Sequence, residues 1–247
     1  MRGPENRRGI GPQISLTRIF DSFGLVREQV TKPQDTSEEA LAGKITNPKI
    51  AEAMGASPRT IALIGQTELT ANLLDSFSET GERQFLLKAD ETFQLAVGVL
   101  PEGVRELVLN LSKAAMTYFY FEAAVAGRIR NGEQFLNEEA IEYLLRRGAD
   151  STIYAAILQT DGITSPGLTA GFRARQALWD LEDDVRDLEQ DRLSIGANVL
   201  LLSTGGSRRT LRNFAGQLLH QSRRLDLPMP LRGAIEEQYE KTIAVLN

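Results

Sequence analysis

Apolar residues recur at spacings of three and four along most of the chain, with glycine or proline marking the breaks, and no stretch shows a convincing strand-like alternation. That period predicts helices. They run over Ile14–Val30, Arg59–Ser78, Gln84–Val99, Glu102–Arg130, Glu138–Gln159, Pro166–Leu193, Arg208–Leu225 and Leu231–Leu246, with the polar segment Thr31–Thr46 read as a mobile loop. Pro101 and Pro166 stand where a first helical turn tolerates proline, and Asn137 before Glu138 and Glu139 reads as an N-cap with acids at the positive end of the helix dipole. No repeat of solenoid length is evident. The expected architecture is all-α, a single-domain bundle with a central cavity over residues 14–247, preceded by a flexible arm over residues 1–13.

Composition fits a chain that builds a core, with 42% hydrophobic and 25% charged residues. Thirty-three acidic against 28 basic residues give a net charge of -5, so no global field draws the chain to nucleic acid or an anionic membrane. With no cysteine and a single histidine, His220, thiol nucleophiles, disulfides and zinc fingers are excluded. Carboxylates, hydroxyls and cations must carry the chemistry. No run approaches the ~18 apolar residues of a membrane span, and Met1–Pro12 lacks the apolar core of a secretory signal. The expected address is the cytoplasm.

The most informative stretch is Trp179–Asn198, WDLEDDVRDLEQDRLSIGAN. At about 100° per residue, Asp180, Asp183, Asp184, Asp187 and Asp191 fall within an arc of roughly 100°, beside the apolar sector of Leu178, Leu181, Val185 and Leu188. A solvated charged face is one reading. The other is a cavity-facing stripe, whose stacked like charges call for a counter-ion. Magnesium commonly takes one or two carboxylates plus substrate phosphates, so the stripe reads as a magnesium diphosphate dock. On an earlier helix, Glu68, Asn72, Asp75 and Glu79 also share a face, backed by Leu69, Leu73 and Phe77. Together the two helices read as a two-sided clamp.

Asp183–Asp191, DDVRDLEQD, resembles the second aspartate-rich motif of the trans-isoprenyl diphosphate synthases within the class I terpenoid synthases, with Trp179-Asp180-Leu181 ahead of it and Gly196 and Asn198 behind. Asp75-Ser76-Phe77-Ser78-Glu79 resembles the family's first motif and keeps its outer carboxylates. Gly43-Lys44-Ile45-Thr46-Asn47-Pro48 is similar to its Gly-Lys-x-x-Arg-Pro stretch, with Asn47 for arginine, and Ser151-Thr152 to its Lys-Thr site, with Ser151 for lysine. Arg83 stands where the family has an arginine pair. In length the chain sits nearer the small divergent prenyltransferases, the moenomycin-type enzymes among them.

The resemblance implies an isoprenoid diphosphate substrate and up to three magnesium ions, with Asp75, Glu79 and Asp183 bridging metal to diphosphate and Asp184 and Asp187 holding metal-bound water. Lys44, Asn72, Arg83, Thr152 and Asp180 are then expected at the substrate. Arg192 joins them because arginine matches phosphate oxygens in bidentate fashion and this one follows the acidic helix. The run Tyr118-Phe119-Tyr120-Phe121 covers all sides of its helix, so it serves either as an aromatic wall for a prenyl chain or as core and homodimer seam. Prenyltransferase is the leading functional reading, with a cyclase or a non-catalytic regulatory subunit of a prenyltransferase as alternatives.

Overall fold

The computed structural model describes Leu16 and residues 43–133, 137–189, 191, 198–202 and 208–247, less the side chains of some helical residues, Glu79 among them. Every regular element among them is helical. In order these are α1 (Asn47–Ala53), α2 (Pro58–Thr80), α3 (Arg83–Gly98), α4 (Glu102–Arg130), α5 (Asn137–Arg147), α6 (Ser151–Leu158), α7 (Leu168–Arg186), α8 (Val199–Leu202), α9 (Arg208–Arg223) and α10 (Met229–Leu246). The all-α expectation holds. The arm over residues 1–13 and the helix Ile14–Val30 lie outside the described residues, apart from Leu16.

Local chemistry explains most boundaries. Ser57 caps α2 by accepting the Thr60 amide, Pro58 opens its first turn, and Gly81 closes it at φ 70°, a left-handed conformation that suits glycine. Three departures from the periodic pattern matter for the site. The span read as one helix from Glu138 to Gln159 is divided into α5 and α6 by a 3₁₀ turn, Gly148–Asp150. Gly148 packs so closely on α7 that a Cβ there would lie 3.3 Å from the Arg173 Cα. The acidic helix also ends earlier than its pattern implies, at Arg186, with Asp187 as its C-cap. Finally, α1 forms in a stretch between Thr46 and Arg59 to which the pattern assigned no element, because Pro48 starts its first turn and a carboxylate of α2 satisfies its end, as described below.

Helix α7 packs against α5, α6, α9 and α10, while α2 packs on α1, α3 and α6. Phe172, Ala177, Leu178 and Leu181 of α7 are buried completely or nearly so, each large side chain contributing roughly 1.5–3 kcal/mol. Its glycine is an approach point, since a Cβ on Gly171 would meet Leu227 and Leu231 side chains at 2.9 Å. Thr242 of α10 ties the two helices further by donating to the Leu178 carbonyl at 2.9 Å. Asp180 and Asp183 of the same helix line the cavity described below.

Candidate functional site

A cavity of about 210 Å³ lies among α2, α3, α4, α6 and α7. It gathers both acidic helices. Glu68, Asn72 and Asp75 line it from α2, and Arg175, Gln176, Trp179, Asp180 and Asp183 line it from α7. Lys44 joins from the segment before α1, and its charge acts on Asp183. Apolar wall comes from Leu16, Leu74, Phe93, Ile153 and Tyr118, so the space offers acid and cation beside hydrocarbon.

At the buried polar end, Glu68 acts as a remote cap for α1. Its carboxylate accepts from the Thr46 and Asn47 amides at 3.0 and 2.9 Å and from the Asn47 Nδ2 at 3.0 Å. Arg175 closes the arrangement by donating to the Asn47 Oδ1 at 2.9 Å and the Thr46 Oγ1 at 2.8 Å. Asn47, buried in this network, presents no cation to a ligand. Burial pushes the Glu68 carboxyl up to about 7 against the pull of those amides and Arg175.

The acidic stripe is divided by position. Asp180 and Asp183 line the cavity, whereas Asp184 and Asp191 do not. Arg147, at the end of α5, donates to Asp184 at 2.8 Å and stands 3.6 Å from Asp180, all three side chains at most 17% exposed. Asp184 also accepts the Val199 amide at 2.8 Å, and Asn198 donates to the Asp184 carbonyl at 2.6 Å and to Asp191 at 2.8 Å. The counter-ion that the stacked aspartates require is therefore supplied in part by the protein. One guanidinium cannot neutralise two buried carboxylates. Burial, opposed by Arg147, pushes the more distant Asp180 up to about 7, and burial raises Asp184 as well.

The other expected residues divide similarly. Asp75 is half-buried on the wall with no hydrogen bond or ion pair among the described residues, and Asn72 Nδ2 is buried without a partner. Asp183 is exposed at the rim, its carboxyl pushed up to about 6 by the loss of water around it and by Asp187. Asp187 itself caps α7 away from the cavity wall. Thr152 donates back to the Ala149 carbonyl at 2.9 Å, and Arg83 is exposed at the start of α3; neither lines the cavity. The Glu79 side chain and Arg192 lie outside the described residues. So do the side chains of Phe119 and Tyr120, while Tyr118 and Phe121 pack on Tyr143 at ring distances of 6.3 and 6.1 Å. Sequence reasoning passed over Arg147, whose signal was only a charged residue next to a glycine inside an apparently continuous helix.

No group of three or more carboxylate or imidazole side chains converges as a metal site among the described residues. The donor chemistry nevertheless fits magnesium held through a ligand. Asp75 and Asp183 offer hard oxygens from two walls, Asp180 Oδ2 lacks a hydrogen-bond partner, and magnesium needs only one or two carboxylates when phosphate completes its shell.

Three of the raised carboxyls, Glu68, Asp180 and Asp183, illustrate the pH dependence. Unfolded, Asp180 and Asp183 titrate near 3.8 and Glu68 near 4.5, whereas folded they titrate near 7, 6 and 7. Between about pH 4 and 7 the folded state therefore binds the more protons, and stability is lost as pH rises through the folded values. Asp183 is exposed and screened, so of these three Glu68 and Asp180 carry most of the effect, and the raised Asp150 and Asp184 act in the same sense. The expected result is a ligand-free melting temperature higher at pH 5.5 than at pH 8 by calorimetry, a difference that shrinks in Asp180→Asn. A melting temperature that rises through this window contradicts the assignment.

Comparison of the chain with family models, with curated proteins and with solved structures finds no match. The site's geometry must carry the functional reading by itself.

Proposed function

We propose that this chain is a magnesium-dependent prenyltransferase acting on allylic isoprenoid diphosphates. The observation that carries the reading is the meeting, in one partly apolar cavity, of Asn72 and Asp75 on α2 with Asp180 and Asp183 on α7. A ligand with an anionic head and a hydrocarbon tail matches that division of surface. Magnesium, when bound with the diphosphate, supplies Lewis-acid stabilisation of charge on the departing group. Asp75 on α2 and Asp183 on α7 would hold the metal, and Lys44 would offer its charge to the same head group. Apolar side chains and Trp179 exclude water from the allylic cation, which the alkene of a second prenyl substrate captures.

One observation favours a cyclase, in which the alkene belongs to the same molecule. Asn47, which stands where the resembling family has an arginine for a second diphosphate, turns inward to Glu68 and Arg175. Cytoplasmic location and a homodimer belong to the same proposal. No described helix is long and apolar enough to cross a membrane.

Titration calorimetry tests the shared site. Magnesium is expected to bind at least about tenfold more tightly in the presence of a non-hydrolysable prenyl diphosphate analogue than alone, since the clamp is completed by phosphate oxygens. Equal affinity in the two titrations would remove the reading.

A further inference from the structure

Asp150 belongs to none of the roles above. It ends the 3₁₀ turn that separates α5 from α6, and it lines the cavity beside Ala149, Ile153 and Tyr154. Its Oδ2 accepts the Tyr154 hydroxyl at 2.7 Å, whereas Oδ1 has no hydrogen-bond partner. A carboxylate in that position retains lone pairs for a proton. Three further charged or titratable groups face it: Tyr154 on α6, Glu68 on α2 and Arg173 on α7. Burial raises its carboxyl, with the Tyr154 hydroxyl, the Asp150 and Ser151 backbone amides and Arg173 acting in the opposite sense, and the balance makes the ionised form a stronger base than a surface aspartate.

Position in the cavity gives the group a task. Asp150 interacts with Glu68, and Glu68 lies seven residues before Asp75 on α2, about 10 Å along the helix axis. It therefore stands toward the buried polar end and away from the acidic rim. Whether the allylic cation is captured by a second substrate or by its own chain, a carbocation remains that must lose a proton to give an alkene. The departing diphosphate sits at the rim, so an acceptor farther along the hydrocarbon has to come from the protein.

We propose that Asp150 is the base that ends the reaction, an inference that rests on the prenyl-transfer reading of the site. The C–H bond beside the cationic carbon breaks, its electron pair becomes the new C=C bond, and the proton is left on the Asp150 carboxylate. Release of product returns that proton to water. Tyr154 keeps its own proton and fixes the orientation of the carboxylate.

The test compares wild type with Asp150→Asn and Asp150→Glu, after thermal melts establish that each is folded. Asparagine keeps an oxygen for the Tyr154 hydroxyl but not the charge. With an allylic prenyl diphosphate and magnesium, Asp150→Asn is expected to release diphosphate within about threefold of wild type while its alkene product falls at least tenfold in favour of alcohols formed by water. Asp150→Glu recovers part of the alkene. Binding supplies a readout free of turnover: with magnesium diphosphate present, a trialkylammonium mimic of the cation should bind Asp150→Asn at least tenfold more weakly than wild type, and its uncharged carbon isostere equally well to both. Unchanged alkene yield and unchanged ammonium affinity in Asp150→Asn, with diphosphate release intact, overturn the assignment of Asp150 alone. Wild type that releases no diphosphate overturns the prenyl-transfer reading and Asp150's role with it.

Discussion

Changing Asp183 to asparagine is expected to lower magnesium-dependent release of diphosphate at least ~100-fold, with the melting temperature close to wild type. The expectation follows from position. Asp183 lines the cavity at its exposed rim, and the interactions acting on it are electrostatic ones, with Asp187, Asp184, Arg147 and Lys44. Little folding energy depends on a group so placed, whereas metal-assisted departure of diphosphate depends on its charge. An amide oxygen is a much weaker ligand, and several kcal/mol of lost transition-state stabilisation corresponds to that change at about 1.4 kcal/mol per tenfold. The control is Glu240→Gln, the same carboxyl-to-amide change at an exposed position of α10, which should leave turnover unaltered. Single-turnover assays with prenyl diphosphates of several lengths make the comparison. Comparable rates in the two variants would show that Asp183 has no catalytic role.

Replacing Arg147 by methionine has the opposite profile, a large loss of stability that does not wait for substrate. The guanidinium is held between Asp180 and Asp184. Burial works against its charge, but those two aspartates outweigh that and raise its pKa well above the usual value. Removing it leaves two buried carboxylates uncompensated, a change that costs about 3–5 kcal/mol in comparable sites. Asp184→Asn should destabilise in the same direction and by less, because the amide still offers an oxygen to the Val199 amide. That reverses the expectation for an exposed stack of aspartates, where each charge removed brings relief. Urea denaturation at pH 8 measures the loss, and repetition at pH 5.5 should show a smaller one as the orphaned acids take up protons. A change within ~1 kcal/mol at pH 8 would mean that the buried aspartates find other partners.

Helical spacing made most of this architecture legible. Five helices, α2, α3, α4, α9 and α10, begin and end within two residues of their sequence readings, because prolines, glycines and capping residues mark most of their ends. Both cavity-lining acidic faces were legible for the same reason. What the period could not give was the assignment of neighbouring aspartates. Asp183 and Asp184 differ by one position, yet one lines a cavity and the other joins Arg147, a residue 37 positions away. Glu68 likewise looked like a member of the clamp until its bonds to the start of α1 accounted for its oxygens. The break at Gly148 depends on how closely α7 approaches, a tertiary fact with no local signature beyond a glycine inside a helical pattern.

That break also distributes stiffness around the cavity. Across it, α2 and α7 are unbroken, so the separation of Glu68 from Asp75, and of Arg175 from Asp183, is set by the rise of a helix at ~1.5 Å per residue. Each holds its own residues at fixed intervals. The wall that carries Arg147, Ala149, Asp150 and Ile153 is instead jointed at a 3₁₀ turn, where hydrogen bonding is poorer and one residue has no side chain to wedge it. Accommodation to a bulkier occupant would therefore be concentrated on that side, while the residues along each acidic helix keep their spacing.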